Sequence, residues 1–180
     1  MNRKYISLIF LIMTCLFISC GDDKKEETSQ EDNVIIGRWV VTCVRAYNGQ
    51  AYTNTLEKTW DFVNYTQTIS NITSYNDVSD QETKQYSSFE EMAEDVHLKG
   101  LIFEKNGVCK SIVYSEGGWK VYDDSFKFEV DGDIIFRVNG SGKTLFGKLS
   151  YNGNIPQLKV TTVLELDGYN VTEERILLKF

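Results

Sequence analysis

The chain has one proline and one histidine among 180 residues, and both scarcities restrict what it can be. A single proline together with thirteen glycines and 13% aromatic residues is typical of a folded, strand-rich chain and not of a disordered one. Any zinc site or hydrolase triad built on imidazole would have to use His97. No Gly-x-Ser-x-Gly, His-Glu-x-x-His or phosphate-loop pattern accompanies it. We therefore predict a surface histidine, no metal or cofactor, and a protein that is not an enzyme.

Clusters of positive charge are also missing. The formal net charge is -7, and residues 1–19 carry Arg3 and Lys4 without any acid, so the remainder has 17 basic and 26 acidic side chains, a charge of -9. Binding to phosphates depends on clustered lysine and arginine, so this composition argues against nucleic acid as a partner. We interpret the acidity as a means of keeping an exposed domain soluble.

The longest apolar run is too short for a comfortable membrane span. Residues 5–18 are uncharged and mostly apolar, and they follow the basic start of the chain. As a helix, fourteen residues extend about 21 Å, whereas the hydrocarbon core of a bilayer is roughly 30 Å thick. A transmembrane anchor is the alternative, but the layout favours an export signal peptide over residues 1–19.

The end of this run carries a processing motif. Residues 16–21 read Leu-Phe-Ile-Ser-Cys-Gly and resemble the lipobox of bacterial lipoproteins, in which a small residue precedes the cysteine. The resemblance implies cleavage before Cys20 and acylation of that residue, palmitate included, and each buried methylene of such chains contributes about 0.8 kcal/mol of anchoring. Cys20 would thus attach the protein to a membrane of a Gram-negative envelope.

Residues 20–33 contain no large apolar side chain and cannot fold by burial. We predict a lipidated, acidic, disordered tether. Acidic runs directly after the lipidated cysteine are similar to signals that send some Gram-negative lipoproteins to the outer face of the outer membrane. The predicted location is therefore the outer membrane, and the acidic run further suggests exposure at the cell surface.

Residues 34–180 are predicted to form one all-β domain. The first strand, residues 35–44, is rich in β-branched residues, and from residue 101 onward eight short apolar-rich segments alternate with turns at about ten-residue spacing. Phe126, Phe128 and Val130 share one face, opposite Lys127 and Glu129. The pattern predicts an antiparallel up-and-down barrel of about 8–10 strands, with an open sandwich as the alternative.

The long connection after the first strand must contain structure of its own. Residues 59–65 are predicted to form a further strand. Residues 88–91, Ser-Phe-Glu-Glu, form a capping box that starts a short helix through about Val96. We expect this helix to lie over an open end of the barrel.

Gly37-x-Trp39 on the first strand, followed by a long excursion and a series of hairpins, resembles the lipocalin-like (calycin-type) domains of anchored bacterial lipoproteins. The resemblance covers residues 34–180 in layout. It implies that Gly37 permits a tight entry to the strand and that Trp39 plugs one barrel end beneath an arginine from the last strand. Arg175 is the candidate arginine, and such a cation over an indole contributes on the order of 1 kcal/mol.

The barrel interior has two interpretations, because an eight-stranded barrel is just wide enough to be packed solid or to hold one small ligand. Several aromatic residues would line a ligand cavity in the first case or fill the core in the second. They are Trp119, Phe126, Phe128, Phe136 and Tyr151.

Two cysteines remain once Cys15 is removed with the leader and Cys20 is acylated. Cys43 and Cys109 would stabilise the fold by roughly 4 kcal/mol if they formed a disulfide in an oxidising envelope compartment. The alternative is two buried free thiols.

Two functions follow from these features. The first is a non-catalytic, envelope-anchored domain that binds a small apolar or amphipathic ligand, or a segment of another protein, at the barrel mouth. The second is a structural or interaction subunit of a cell-surface complex. The first predicts an open apolar cavity, and the second a filled interior with an exposed aromatic patch.

Overall fold

The computed structural model describes residues 34–48, 55–74, 77–166 and 169–180. The predicted signal peptide (1–19) and tether (20–33), including Cys20, lie outside the described residues. Within the described ranges, no helix has the length and apolar character needed to span a bilayer.

Strands dominate these ranges, with a short helix between the fourth strand and the fifth. The elements are β1 (Gly37–Asn48), β2 (Thr55–Asp61), β3 (Thr66–Ser74), β4 (Asp77–Gln85), α1 (Phe89–Asp95), β5 (Lys99–Phe103), β6 (Val108–Ser115), β7 (Gly118–Asp131), β8 (Ile134–Asn139), β9 (Gly142–Asn152), β10 (Ile155–Leu166) and β11 (Tyr169–Lys179).

Eight strands close into a barrel. From β5 to β11 each strand pairs antiparallel with the next, and β1 closes the ring by pairing with both β5 and β11. Trp39, for example, lies opposite Leu101 on one side and Lys179 on the other. The predicted all-β, up-and-down antiparallel barrel is confirmed, and the open sandwich is not the fold.

Alternation of side chains along β7 follows the prediction, but the length of the strand does not. Phe126 and Phe128 are buried, whereas Lys127 and Glu129 are exposed. The apolar-rich segments 119–122 and 126–130, with Asp123 and Asp124 between them, predict two strands and a turn, whereas β7 is one strand with a bulge. Lys110 pairs with Ser125 and Ile112 with Val121, so the extra residues on β7 bend the strand without ending it.

Strand β1 forks at its middle. Its first half pairs with β5, and its second half pairs with β2, which continues through β3 to β4 as a three-stranded ribbon leaving the barrel. A bulge at Thr42 marks the fork, because Val41 lies opposite Leu177 while Cys43 lies opposite Ile176. The predicted strand over residues 59–65 is only partly right, since β2 ends at Asp61 and a turn follows.

The helix begins where the sequence predicted. The side chain of Ser88 accepts a hydrogen bond from the backbone N–H of Glu91 at 3.2 Å. However, α1 packs against the outer wall of the barrel, where Ala93 joins Val40 and Tyr114 in a buried cluster. The expectation that the helix covers the barrel end is therefore wrong, and the segment that follows it, residues 96–98, is the part that reaches the opening.

One end of the barrel, which we call the closed end, is packed solid. Trp39 and Ile35 are both 0% exposed, and the indole N–H of Trp39 donates to the carbonyl of Ile35 at 2.7 Å. Phe103, Leu158 and Leu177 complete this core. The segment before β1 and the first inward side chain of β1 thus fill this end of the barrel.

Candidate ligand-binding site

Beyond the closed end the interior widens into a cavity of about 420 Å³. A second cavity of about 290 Å³ adjoins it at the fork of β1, and the two share Val41, Lys99 and Arg175. All eight barrel strands line the larger cavity. Its lining consists of Val41, Lys99, Gly100, Leu101, Ser111, Ile112, Tyr122, Asp124, Phe126, Arg137, Phe146, Val160, Thr162, Arg175 and Leu177.

Aromatic rings form the floor of the larger cavity. The ring centroids of Phe126 and Phe146 lie 4.7 Å apart, and those of Phe103 and Phe146 lie 6.4 Å apart. Phe128 lies one step deeper, against Phe103 at 4.9 Å. This layer separates the cavity from the closed end and gives a ligand an apolar surface.

Charged side chains enter the same cavity from the wall. The guanidinium carbon of Arg137 lies 4.4 Å from the centroid of the Phe126 ring. In the described part of the chain, neither Arg137 nor Lys99 has an ion-pair or hydrogen-bond partner. Arg175 differs, because its Nε donates to the Glu173 carboxylate at 2.6 Å.

The lining of the two cavities is more basic than the molecule as a whole. Among the described residues, four cations line them against two carboxylates, while the full chain carries a net charge of -7. The cations are Lys58, Lys99, Arg137 and Arg175, and the carboxylates are Asp124 and Glu173. The opening is therefore a locally positive region in an acidic protein.

Two of the five aromatic residues predicted to line a cavity lie inside the barrel. Phe126 lines the cavity and Phe128 packs below it. Trp119 packs outside against Tyr114, at 5.4 Å between ring centroids, under the Arg38 guanidinium. The other two also lie elsewhere: Phe136 stands between the inward residues Ile135 and Arg137, and Tyr151 is 59% exposed. Each of these three occupies an outward position of its strand.

The predicted contact between Trp39 and Arg175 does not form. Gly37 has a φ of +126° at the entry to β1, and Trp39 plugs the closed end. Opposite Trp39 lies Lys179, whereas Arg175 lies opposite Val44, roughly 13 Å further along β11 at the usual rise per residue. Arg175 instead lines the two cavities, at the end of the barrel opposite Trp39, which we call the open end.

The two cysteines are free thiols on opposite sides of the sheet. Cys109 lies in the barrel core, whereas Cys43 lies on the outer side, with its Sγ 3.9 Å from the Glu57 carboxylate. Burial and the charge of Glu57 raise the pKa of Cys43 to about 11. Burial also raises the pKa of Cys109, with Asp124 adding to the effect and Arg137 opposing it. Of the two alternatives left open by the sequence, the structure has the free thiols and not the disulfide.

His97 is exposed and lines the smaller cavity, with a φ of +47°. Within the described ranges, histidine, cysteine and acidic side chains form no cluster that could hold a metal ion. Lys99 and Arg137, which line the larger cavity, were not among the predicted site residues. Nothing in the sequence of β8 marks Arg137 as inward, because the strand reads Ile-Ile-Phe-Arg-Val-Asn and has apolar residues on both faces.

Comparison of the chain with protein-family models, with curated proteins and with solved structures finds no match.

Proposed function

We propose that this protein is a lipid-anchored, non-catalytic, lipocalin-like envelope protein that binds a small apolar or amphipathic molecule inside its barrel. The observation that carries the proposal is the cavity of about 420 Å³ above an aromatic floor. Ligand pockets commonly measure roughly 300–1,000 Å³ and combine apolar walls with a few polar groups. Phe126, Phe146 and Arg137 supply that combination here.

The anchor in this proposal is Cys20. The lipobox-like residues 16–21 support acylation there, and the tether behind it would reach roughly 40 Å when extended, which holds a barrel clear of the bilayer. An outer-membrane position, with exposure at the cell surface, follows from the acidic start of the tether. Mass spectrometry of the mature N-terminal peptide tests this part separately: acyl groups on Cys20 support the anchor, and an unmodified Cys20 or an uncut leader contradicts it.

The shape of the opening also supports binding of a ligand. Two exposed apolar side chains line the cavities, Tyr122 at 54% in the larger and Leu56 at 38% in the smaller. A structural subunit with a solid barrel would bury its inward side chains at both ends. The hollow interior therefore favours a binding protein over the scaffold.

A cavity-blocking pair of variants tests the proposal. Thr162 lines the cavity, whereas the adjacent Thr161 points outward opposite Glu174. The sample is the mature chain carrying Cys20→Ala, so that acyl groups do not compete, and the probe is the uncharged fluorophore N-phenyl-1-naphthylamine. We expect Thr162→Phe to weaken probe binding at least tenfold and Thr161→Phe to leave it unchanged. Equal binding by both variants, or no binding by the parent chain, would contradict a site inside the barrel.

A further inference from the structure

We propose that the ligand of this cavity is an amphipathic anion, whose charged head group binds the Arg137 guanidinium while its apolar part lies on the Phe126–Phe146 floor. The proposal deepens the function proposed above by naming a class of ligand, and it rests on that function. The juxtaposition that carries it is an unpaired guanidinium directly beside an aromatic floor inside an open cavity.

The position of Arg137 is fixed by the barrel wall. On β8, Ile135 is 0% exposed in the core, and Arg137 stands two residues further on the same face. Its guanidinium carbon lies 4.4 Å from the centre of the Phe126 ring. Contact with the face of a ring uses none of the five N–H donors of a guanidinium, which remain available in a fork that suits carboxylate or phosphate oxygens.

The charges around Arg137 do not neutralise it. Glu173 is already paired with Arg175. Asp124 lines the same cavity but lies beyond ion-pair distance of Arg137, and Lys99 enters from β5 as a further cation. Within the described lining this leaves an excess of positive charge, although the chain as a whole is acidic. A cation in a partly enclosed site is stabilised by an opposite charge, which an anionic ligand supplies.

The apolar part of the ligand has a matching surface. Leu101, Val160 and Leu177 continue the aromatic floor up the wall, and they come from three different strands. A purely apolar ligand would leave the donors of Arg137 unsatisfied, and a cationic one would be repelled by them. A small hydrophilic anion would gain nothing from the floor. The combined lining thus selects a molecule with both parts.

Three probes with the same twelve-carbon tail separate these cases. Laurate is anionic, dodecanol is neutral and dodecyltrimethylammonium is cationic. Each is used below its micelle-forming concentration to displace N-phenyl-1-naphthylamine from the mature Cys20→Ala chain. Because charge-assisted hydrogen bonds are the stronger kind, we expect laurate to displace the probe at a concentration about tenfold lower than dodecanol. We expect dodecyltrimethylammonium to be the weakest.

Arg137→Met keeps a long apolar side chain and removes the guanidinium. We expect it to abolish the preference for laurate over dodecanol while dodecanol still displaces the probe. Lys127→Met is the matched control, because Lys127 is exposed on the outer face of β7, and it should keep the preference.

The outcomes separate this inference from the function on which it rests. If dodecanol binds as well as laurate, or if folded Arg137→Met keeps the preference, the anionic class is wrong and an apolar ligand stands. If neither the fluorophore nor any tail binds, the proposed function itself fails. Circular dichroism checks the folding of the variants. Should Arg137→Met not fold, the order of the three probes on the parent chain still decides for or against an anion.

Discussion

The closed end and the open end of the barrel are built from the same eight strands, yet they differ in what points inward. At the closed end the inward residues are large and apolar, such as Trp39, Phe103 and Leu158, and all are essentially unexposed. At the open end the inward positions carry Lys99 and Arg137 around a cavity. At both ends, the alternation along each strand determines which side chains point into the barrel. The type of these inward residues then determines whether the interior is packed or left open for a ligand.

The difference has an energetic basis. Close packing of apolar side chains stabilises the fold, whereas charged groups facing a cavity contribute little and cost some desolvation. The open end can carry them because the strand ladders continue through it and the closed end supplies most of the buried core. Sites of binding are commonly less stable than the scaffold that holds them.

The largest expected effect separates the two ends directly. Trp39→Ala at the closed end should reduce the free energy of unfolding by about 3–5 kcal/mol, because it deletes a fully buried indole. Tyr122→Ala at the open end should change it by no more than about 0.5 kcal/mol, because that side chain is half exposed. Urea unfolding followed by tryptophan fluorescence, with circular dichroism as a second probe, measures both. Similar losses for the two variants would remove the distinction between the ends.

A smaller loss of stability is expected at Gly147, where the barrel wall leaves little room for a side chain. A methyl group at Gly147 would lie 2.9 Å from the carbonyl oxygen of Lys159 and 3.0 Å from the side chain of Leu158. Gly147→Ala should therefore cost roughly 1–3 kcal/mol through overpacking. Gly118→Ala is the control, since a methyl group there meets no atom within 4 Å. Equal urea concentrations at the midpoint of unfolding for the two variants would contradict the close packing around Gly147.

Much of this fold could be predicted from local patterns. Strands β7 and β10 alternate clearly, and the hairpin glycines Gly107 and Gly153 adopt the positive φ that their turns require. The ribbon could not be predicted in full, because β4 is polar apart from Val78 and is exposed at every residue from Val78 to Gln85. A strand without a buried face leaves no period-two pattern, and charged side chains are typical of a free edge.

The site was harder to predict than the barrel. The aromatic residues Phe126 and Phe136 look equivalent in sequence, yet one lines the cavity and the other points outward, because the turn between β7 and β8 sets the register in which Phe136 pairs with Glu129 on the outer face. A shift of one residue exchanges the two faces. Arg137 was overlooked because an inward cation within a strand is indistinguishable from a solvated one until the ring closes. Closure depends on pairings between residues more than 100 positions apart, such as Trp39 with Lys179.

A third prediction concerns the attachment of α1 to the wall beside the open end. The carboxylate of Glu94 accepts hydrogen bonds from the backbone N–H groups of Glu116 at 2.8 Å and Gly117 at 3.2 Å, and these bonds lower its pKa. A lowered pKa means that the contribution is present above the ordinary glutamate pKa and is lost as the pH falls through the folded value. Acidification from pH 7 to pH 4 should lower the Tm less in Glu94→Gln than in the parent chain. Glu90→Gln, at an exposed position of the same helix, should behave like the parent, and a parallel fall in all three chains would contradict the role of Glu94.

The smallest effect is expected from a reductant. Cys43 and Cys109 lie on opposite faces of the sheet as free thiols, so dithiothreitol should leave the Tm of the mature Cys20→Ala chain unchanged, whereas loss of a disulfide between them would cost roughly 4 kcal/mol. Because the pKa of both thiols is raised, their reaction with Ellman's reagent at pH 8 should be slow in the folded protein and should reach two equivalents in denaturant without any reductant. The pKa of Cys43, about 11 in the folded protein, lies above that of the unfolded thiol. The free energy of unfolding should therefore be greatest below the unfolded pKa and should decrease as the pH rises toward 11. Fewer than two reactive thiols in denaturant would show that Cys43 and Cys109 form a disulfide. Such a bond would contradict the structure, because the side chain of Cys43 would have to point into the barrel and not outward.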